Sequence, residues 1–410
     1  MKKLSNYLTI LLFIGFIIGV GAYIQLSEKE DISFYENRTL AKNPEVSVEK
    51  FVDGSYTKEY ETYITDHFAA KDTWIKGYIQ WQRLTNQTFI QDYYISKEDN
   101  WIYPKPASYV DYAGLDKTVA NMEGLAEYTD QHNMELFLFS LPNRYLILDP
   151  DYPSFITHGY EYEQKEYYLD GLSKVDNLHL KDVAQDFRNN FTEEEVKELY
   201  YQTDHHWNVD GAFEGYKVIY NTLNEQSEYF NEPSLDKEAF SKKCYDNNNF
   251  IGSYNRQLYQ LVKTEDAICS MIPSNVDFNT WEVYKGGISE ETKTIWSNIY
   301  GSDLEKENEH NVTDYAGIFT ADYKELTVIN PAKEKEGIKA LFIKDSYANP
   351  MTFWLPEHFY QTTFYDMRYN NNRSLYEYLE NNEFDMIVFL YNDTTVNSVM
   401  YDFSLEEKTE

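Results

Sequence analysis

The stretch that decides the fold is IKALFIKDSYANPMTF, residues 338–353. Residues 338–343 are mainly apolar, which is typical of a strand buried on both faces of a parallel sheet. A polar turn that contains Ser346 follows, and a helix is predicted over residues 350–358. A strand, a turn and a helix in this order expose a serine hydroxyl at the carboxyl edge of a parallel sheet.

Two further apolar runs predict strands of the same sheet. Residues 135–141 (ELFLFSL) follow a segment of helical periodicity over 116–132, and residues 385–391 (DMIVFLY) follow another over 374–382. A helix followed by a strand without polar alternation is typical of a buried, mostly parallel sheet. The sequence therefore predicts an α/β fold, a mostly parallel sheet flanked by helices, whose strands come from both ends of the body.

The segment from residue 227 to about residue 325 interrupts this pattern. It is polar, irregular, rich in Asn and Glu, and contains both cysteines. Long excursions from a sheet usually carry specificity, so we predict a polar insertion or lid on the α/β core. The α/β domain is predicted over residues 61–410, and the polar segment 28–60, broken by Pro44 and Gly54, is predicted to be a tether.

The N-terminus predicts a transmembrane helix within residues 1–27. Lys2 and Lys3 precede an uncharged run over residues 7–24, which at ~1.5 Å per residue is just long enough for a hydrocarbon core of ~30 Å. The lysines favour a cytoplasmic N-terminus, so we expect a single-pass protein of the cell membrane with its body on the extracytoplasmic side. The alternative is a cleaved signal peptide, because residues 20–22 (VGA) are small. We favour the anchor, since the apolar run exceeds the usual length of roughly 7–15 residues in a signal peptide.

The charge excludes one class of partner. The chain has 36 Lys and Arg against 69 Asp and Glu, a net charge of −33 in 410 residues. Such a surface repels phosphate backbones, so nucleic acid is not an expected partner. Apolar residues make up 42% and aromatic residues 17%, which excludes a wholly disordered chain.

Two cysteines, Cys244 and Cys269, limit the chemistry available to thiols. They are too few for a zinc cluster of thiolates or for a scaffold of several disulfides. In an exported body they can form one disulfide, and in a chain with few cysteines they can equally stay buried as thiols. The sequence leaves both states open.

The densest cluster of reactive side chains is QTDHHWN, residues 202–208. A carboxylate two residues before an imidazole, as Asp204 is before His206, can fix the tautomer of the ring and leave its other nitrogen as a general base. The alternative is that Asp204 caps the following helix and that the histidines are surface or packing residues.

A general base needs a nucleophile, and Ser346 is the better of two serines. It follows a buried strand, and the N–H groups of the turn after it can hold an oxyanion. The turn lacks the G-x-S-x-G pattern, which disfavours the α/β-hydrolase fold. The competing Ser253, in IGSY at residues 251–254, has no strong strand before it.

A metal site is the alternative to this arrangement. Asp204, His205 and His206 offer ligand atoms, together with a more distant histidine such as His132, His158 or His179. Adjacent histidines on a strand point in different directions, and the sequence has no H-x-x-x-H spacing. We therefore expect no metal and no cofactor.

Residues 204–207 (DHHW) together with residues 344–347 (KDSY) resemble the DHHW protein family, whose members are related to the alginate O-acetyltransferases within the SGNH hydrolase-like superfamily. The resemblance covers nearly the whole body after the predicted anchor. Further landmarks shared with that family are Asn37-Arg38, Asp66-His67-Phe68, Asp99-Asn100-Trp101 and Pro142-Asn143.

The resemblance implies a catalytic triad in which Ser346 is the nucleophile, His206 the base and Asp204 the orienting carboxylate. This chain order is permuted relative to ordinary SGNH esterases, which is no objection because geometry defines a triad. Trp207 is expected to pack behind the base, and His205 and His67 are expected to be structural. Candidates for lining the cleft and binding substrate are Tyr254, Arg256, Tyr347 and Asn349.

The expected function is an extracytoplasmic O-acyltransferase, most simply an O-acetyltransferase, that modifies hydroxyls of an exported polysaccharide through an acyl-serine. The resemblance implies a multi-pass membrane-bound O-acyltransferase as the partner that delivers acyl groups, because acyl-CoA is not available outside the cell. Two alternatives stay open: a carbohydrate esterase of the same fold, and a catalytically idle protein that binds the polymer or acts as a scaffold.

Overall fold

The computed structural model describes residues 2–27, 29–245, 249–264, 266, 268–299, 312–333, 337–370, 372–396 and 399–404. The chain forms two compact units. The first unit comprises residues 1–92 and 255–263, and the second comprises residues 93–254 and 264–410. Residues 300–311 of the predicted insertion lie outside the described residues.

The first unit is mainly helical. Its elements are α1 (Lys2–Leu26), β1 (Ile32–Ser33), β2 (Arg38–Thr39), α2 (Val48–Val52), α3 (Ser55–Asp66) and α4 (Lys71–Leu84). Residues 5–26 of α1 are long and apolar enough to cross a membrane, by length and composition, and a signal sequence passes the same test.

An ion pair ties β2 to the end of α3. The guanidinium of Arg38 donates two hydrogen bonds to Asp66, of 2.9 and 2.5 Å, and the N–H of Ala41 donates a third of 2.8 Å. The bonds from Arg38 outweigh burial and lower the pKa of Asp66 to about 2. Asp66 is therefore ionised and fully bonded near neutral pH.

We expect Asp66→Asn to destabilise the protein by about 1 to 2 kcal/mol at pH 7, a value discounted because Arg38 is half exposed. Since the pKa of Asp66 is depressed in the folded state, its stabilising effect is fully present above the unfolded value of about 3.9 and is lost as the pH falls toward 2. Denaturant unfolding of the variant and the wild type from pH 7 to pH 2 measures this convergence. Glu61→Gln, an exposed change on the same helix, is the control, and a pH-independent deficit in Asp66→Asn would contradict the prediction.

The remaining helices and strands build the α/β body, except that residues 255–257 of α11 belong to the first unit. The helices are α5 (Tyr112–Gln131), α6 (Arg144–Leu148), α7 (Tyr160–Leu172), α8 (Val183–Asn190), α9 (Glu193–Glu198), α10 (Val209–Gln226), α11 (Ser253–Gln257), α12 (Tyr315–Ile318) and α13 (Leu375–Glu380). The strands are β3 (Tyr93–Ile95), β4 (Ile102–Pro104), β5 (Glu135–Leu141), β6 (Leu178–Asp182), β7 (Phe240–Cys244), β8 (Asn249–Phe250), β9 (Cys269–Pro273), β10 (Glu282–Tyr284), β11 (Lys293–Thr294), β12 (Val312–Thr313), β13 (Glu325–Ile329), β14 (Lys339–Lys344), β15 (Gln361–Tyr365) and β16 (Met386–Asn392).

Within the described residues, eight strands form the main sheet in the order β11-β10-β13-β15-β14-β16-β5-β6. The five strands from β15 to β6 are parallel to one another, and β13, β10 and β11 extend the sheet in antiparallel fashion. The α/β class and the mostly parallel sheet flanked by helices are confirmed. The three apolar runs that predict strands are β5, β14 and β16.

Alternate side chains of the central strands enter two separate hydrophobic clusters. On β5, Phe137 and Phe139 pack with residues of α8 and α10, whereas Leu136 and Leu138 pack with residues of α5 and α13. Helices thus cover both faces of the sheet. This is why the strands read as continuous apolar runs rather than as alternating patterns.

The helix predicted after β14 differs in type and in its first residue. A 3₁₀-helix covers Ser346–Phe353 and a second covers Leu355–Glu357. The carboxylate of Asp345 accepts the N–H of Tyr347 and begins the helix at Ser346, while Pro350 has no N–H for an α-helical bond. Ser346 is therefore the first residue of a helix that directly follows the strand.

The predicted insertion is more ordered than its composition indicates. Part of it continues the main sheet, since β10 pairs with β13 and with β11. Another part is the antiparallel pair of β7 and β9, in which Cys244 and Cys269 are opposite one another and form a disulfide. The structure thus contains the disulfide state of the two that the sequence leaves open.

Candidate active site

The strand β14 delivers Ser346 to the carboxyl edge of the sheet through a rigid turn. The carboxylate of Asp345 accepts hydrogen bonds from the backbone N–H of Tyr347 at 2.9 Å and from the backbone N–H and side-chain amide of Asn392 at 2.7 Å each. Burial raises the pKa of Asp345 despite these bonds. The turn is thereby anchored to the end of β16, and the side chain of Ser346 stays partly exposed.

The loop that carries the DHHW residues joins α9 to α10. Its two ends are held by a β-bridge between Tyr200 and Trp207. The cap of α10 is Asn208, whose side chain accepts the N–H groups of Asp210 and Gly211. Asp204 therefore does not cap the helix, and its carboxylate is free to serve the neighbouring imidazole.

Asp204, His206 and Ser346 form a continuous hydrogen-bonded row. Nδ1 of His206 lies 2.6 Å from Oδ1 of Asp204, and Nε2 of His206 lies 2.7 Å from Oγ of Ser346. The backbone N–H of His206 also donates to Asp204, at 2.9 Å. Asp204 and His206 are buried, with exposed fractions of 1% and 4%, whereas Ser346 can be reached from solvent.

The electrostatics of the row keep Asp204 ionised. Burial alone would raise the pKa of this carboxyl, but the interactions with His206 and His205 and the N–H of Ser253 outweigh it and leave the pKa of Asp204 far below its ordinary value. An ionised carboxylate at Nδ1 holds the proton there, so Nε2 is the atom that can accept the proton of Ser346.

Reciprocal bonds between neighbours keep the histidine and the serine in register. The indole N–H of Trp207 donates to the backbone carbonyl of Tyr347 at 3.0 Å, and the hydroxyl of Tyr347 donates to the backbone carbonyl of His205. Trp207 and Tyr347 are fully buried. Two hydrogen bonds therefore join the segment that supplies the base to the segment that supplies the nucleophile.

The ring of His206 is held between two other rings. His205 lies against one side with its centroid at 3.7 Å, and Tyr315 stacks on it at 3.7 Å with an interplanar angle of 2°. Tyr315 begins α12 and comes from the predicted insertion. Sequence reasoning missed it, because neither the residue nor its neighbours form a pattern that points to an imidazole 109 positions earlier.

Arg144 is a second residue that sequence reasoning missed. It is buried, with 1% exposed, and its Nη1 donates to the carbonyls of Tyr201 and Gln202 at 2.8 and 2.7 Å. Its guanidinium lies 5.1 to 5.2 Å from three aromatic rings, those of Trp101, Tyr103 and Tyr254. Arg144 thus braces the backbone that leads into Asp204. The signal available in the sequence was the landmark Pro142-Asn143, which directly precedes Arg144 at the end of a predicted strand.

Ser253 forms a hydrogen bond with His205, the other histidine of the loop. Its Oγ lies 2.7 Å from Nδ1 of His205, and its backbone N–H donates to Oδ2 of Asp204 at 2.6 Å. The preceding Gly252 lies so close to the loop that a Cβ there would meet the carbonyl of Thr203 at 2.3 Å. Only glycine permits this approach, which explains the Gly-Ser pair in this segment.

The predicted substrate-binding residues occupy different places. Tyr254 is partly exposed, and its ring lies 5.8 Å from that of His205. Tyr347 is buried behind the row, as described above. Asn349 is also buried, with its amide bonded to Lys344 at 2.6 Å and to Asp322 at 3.1 Å. Arg256 belongs to the first unit, where its guanidinium lies 5.8 Å from the ring of Phe34.

Most of the carboxylate and imidazole atoms that a metal would need are engaged in hydrogen bonds. One oxygen or nitrogen from each of Asp204, His205 and His206 lies within 4.8 Å of the others. However, Asp204 accepts bonds through both of its oxygens, and the Nδ1 atoms of both rings have partners. These bonds form an arrangement that can support proton transfer between Ser346 and His206.

Comparison with known proteins shows that the fold is SGNH hydrolase-like. Residues 95–269 match the model of the SGNH hydrolase-like domain of the acetyltransferase AlgX. None of the curated proteins compared with the chain matches it. The resemblance that the DHHW and DSY residues indicate is thus confirmed, and the chain is related to the AlgX-type acetyltransferase domain.

Solved structures agree with this relationship. Bacillus cereus PatB1 matches with 28% identity and a TM-score of 0.66, over 76% of this chain and 100% of PatB1. PatB1 with a sulfonyl adduct matches with 26% identity and a TM-score of 0.66, over 77% of this chain and 100% of that chain. A DHHW family protein from Eubacterium siraeum shares the fold, with 16% identity and a TM-score of 0.54, over 77% of this chain and 96% of that protein.

Proposed function

We propose that the protein is an extracytoplasmic O-acetyltransferase that moves an acetyl group onto a hydroxyl of an exported polysaccharide through an acyl-serine at Ser346. The observation that carries the proposal is the hydrogen-bonded row of Asp204, His206 and Ser346. The match to the domain of the acetyltransferase AlgX favours acyl transfer over the other activities of a serine and a histidine.

In the first half of the reaction, Nε2 of His206 takes the proton of the Ser346 hydroxyl. Oγ of Ser346 attacks the carbonyl carbon of the acyl donor, and a tetrahedral oxyanion forms. The bond to the leaving group then breaks, and the leaving group takes the proton from His206. Asp204 stabilises the imidazolium during both transfers without taking up the proton.

Backbone N–H groups at the start of the 3₁₀-helix would stabilise the oxyanion. Asp345 already uses two of them, since its carboxylate accepts the N–H of Tyr347 and its carbonyl accepts the N–H of Ala348. Among the described residues, no acceptor for the N–H of Ser346 is present. This N–H is the donor of the turn that we assign to the oxyanion.

In the second half, a sugar hydroxyl gives its proton to His206 and attacks the acyl-serine. The acetyl group leaves on the sugar, and Ser346 regains its proton from His206. Water in place of the sugar would release acetate. The choice between sugar and water therefore decides between a transferase and an esterase.

The location follows from α1 in this proposal. We take α1 as a membrane anchor that leaves the body outside the cytoplasm, as Lys2 and Lys3 favour. Acetyl groups must then be delivered across the membrane, since acyl-CoA is confined to the cytoplasm. We propose a multi-pass membrane-bound O-acyltransferase as the partner that supplies them.

Mass spectrometry of the labelled protein tests the chemistry. We expect 4-nitrophenyl acetate to add one acetyl mass, and a sulfonyl fluoride one sulfonyl mass, to the peptide that contains Ser346. Neutral oligosaccharides should discharge the acetyl-enzyme faster than water does. An adduct on Ser253 would reassign the nucleophile to the partner of His205, and a chain that forms no adduct would support the scaffold alternative.

A further inference from the structure

Asp266 is a carboxylate of the predicted insertion that the proposed mechanism does not use. Its Oδ1 accepts the backbone N–H of Gln202 at 2.8 Å. Its Oδ2 accepts the backbone N–H and the hydroxyl of Thr203, at 3.1 and 2.9 Å. Both oxygens accept, as those of an ionised carboxylate do. An acidic side chain 64 positions after Gln202 therefore holds the backbone that leads into Asp204.

Arg144 holds the same backbone from the opposite side. Its Nη1 donates to the carbonyls of Tyr201 and Gln202, at 2.8 and 2.7 Å. The carbonyl of Tyr201 and the N–H of Gln202 belong to one planar peptide group, and the carbonyl of Gln202 and the N–H of Thr203 belong to the next. Each of these two peptide groups thus has the guanidinium at its oxygen and the carboxylate at its N–H. We call Asp266 and Arg144 the charge clamp.

The two peptide groups within the charge clamp point in the same direction. In an extended strand the peptide dipoles alternate in direction and largely cancel. Here both carbonyls face one nitrogen of Arg144, so two dipoles of about 3.5 D each lie side by side and repel one another. A cation at the oxygen end and an anion at the N–H end stabilise this arrangement, just as opposite charges stabilise the two ends of a helix.

The remaining surroundings of Arg144 show how specific this contact is. The side chain is buried, and the rings of Trp101, Tyr103 and Tyr254 surround its guanidinium. Among the described residues, Nε and Nη2 have no hydrogen-bond partner. A buried cation needs compensation, because it has lost its hydration. In the described part of the chain, the side chain of Arg144 finds its hydrogen-bond acceptors only in the segment before Asp204.

The segment 201–203 is coupled to both acid–base residues of the row. Asp204 follows it directly in the chain. The backbone N–H of Tyr201 donates to the carbonyl of His206 at 3.4 Å. A shift of this segment would therefore displace Asp204 and His206 relative to Ser346, which is fixed separately at the end of β14. Proton transfer from Oγ to Nε2 depends on their separation of 2.7 Å, which such a shift would change.

We propose that Asp266 and Arg144 are positioning residues of the catalytic row, which hold Asp204 and His206 in the geometry for proton transfer before a substrate binds. The inference rests on the proposed function, because it concerns the rate at which Ser346 is activated. The charge clamp touches no reacting atom. Its loss therefore lowers the rate constant of the serine and leaves the number of reactive sites unchanged.

Sulfonylation of the full-length protein in detergent by phenylmethanesulfonyl fluoride tests the charge clamp, because the adduct requires His206 to take the proton of Ser346. Intact-mass spectrometry gives the rate constant and the final labelled fraction separately. We expect Asp266→Asn, which offers one accepting oxygen instead of two, and Arg144→Met each to lower the rate constant about tenfold to a hundredfold, at an unchanged final fraction. Glu290→Gln changes an exposed carboxylate of the insertion and should react like the wild type.

An Asp204→Asn background separates positioning from general support of the fold. Because the charge clamp acts through Asp204, Asp266→Asn should lower the rate constant by a smaller factor in this background than in the wild type. An equal factor in both backgrounds would overturn the positioning role, and so would rate constants within about twofold of the wild type in both clamp variants. A reduced final fraction at the wild-type rate constant would also overturn it, since a folding defect removes sites without slowing the others.

Hydrogen–deuterium exchange distinguishes failure of the charge clamp from failure of the proposed function. A wild type that forms no adduct at Ser346 would contradict the proposed function. The charge clamp is then judged by the backbone N–H groups of Gln202 and Thr203, which should exchange faster in Asp266→Asn than in the wild type, and equal exchange would overturn it. Arg144→Met carries both measurements if Asp266→Asn does not fold.

Discussion

Ser346→Ala is expected to abolish the acetyl adduct and to lower acetyl transfer by roughly 10⁴-fold to 10⁶-fold, the range seen when a nucleophile is removed from a serine–histidine–carboxylate site. The alanine keeps the backbone of the 3₁₀-helix and the bonds of Asp345, so the turn should stay intact. The loss would therefore report the missing Oγ and not an unfolded protein. Burst kinetics and peptide mass spectrometry measure the two effects.

The controls separate nucleophile loss from other causes. Ser241→Ala removes an exposed hydroxyl at a distance from the row and should react like the wild type. A melting temperature within a few degrees of the wild type would show that Ser346→Ala folds. If Ser346→Ala keeps its burst, the nucleophile is another residue, and the label then shows whether it is Ser253.

His206→Ala is expected to reduce acylation and turnover about as strongly as Ser346→Ala, because the members of such a row act as a unit. Asp204→Asn should be milder by about tenfold or more, since the imidazole is still present to accept the proton. The loss of activity expected in Asp204→Asn has a structural cause. Oδ1 of Asp204 accepts two N–H groups of His206 and Oδ2 accepts the N–H of Ser253, whereas an asparagine offers only one accepting oxygen.

The pH profile and two matched variants check this order. The pKa of Asp204 lies far below its ordinary value, so an acid limb between pH 4 and pH 7 in the rate profile cannot come from Asp204. Substitution of a surface carboxylate should not move the position of that limb. Asp210→Asn and His132→Ala remove exposed or half-exposed groups of the same types and should leave the rate within about twofold. An Asp204→Asn variant slower than His206→Ala would contradict the assigned roles.

The sequence predicts the parts of the fold that short-range patterns encode. β5, β14 and β16 are buried on both faces, so their composition alone marks them as strands of a parallel sheet. The turn after β14 and the DHHW loop carry polar residues in a recognisable order. That order was enough to select Ser346, His206 and Asp204, which the structure brings together.

The missed features depend on contacts between distant segments. Tyr315 stacks on His206, Ser253 pairs with His205, and Arg144 braces the carbonyls of Tyr201 and Gln202. Hydrophobic periodicity describes the neighbours of a residue along one element and carries no information about such encounters. The 3₁₀-helix was missed for a local reason, since the capping bond of Asp345 competes with the helical preference of the residues that follow.

The position of β16 in the sheet governs when the main sheet can be completed during synthesis of the chain. Among the eight strands of the main sheet, β16 is the last in chain order, yet it lies between β14 and β5. Ser346 is synthesised before β16, the strand that joins β14, which leads to Ser346, to β5, which precedes the DHHW loop in the chain. The nascent polypeptide therefore cannot complete the main sheet until the final strand has entered the gap between β14 and β5.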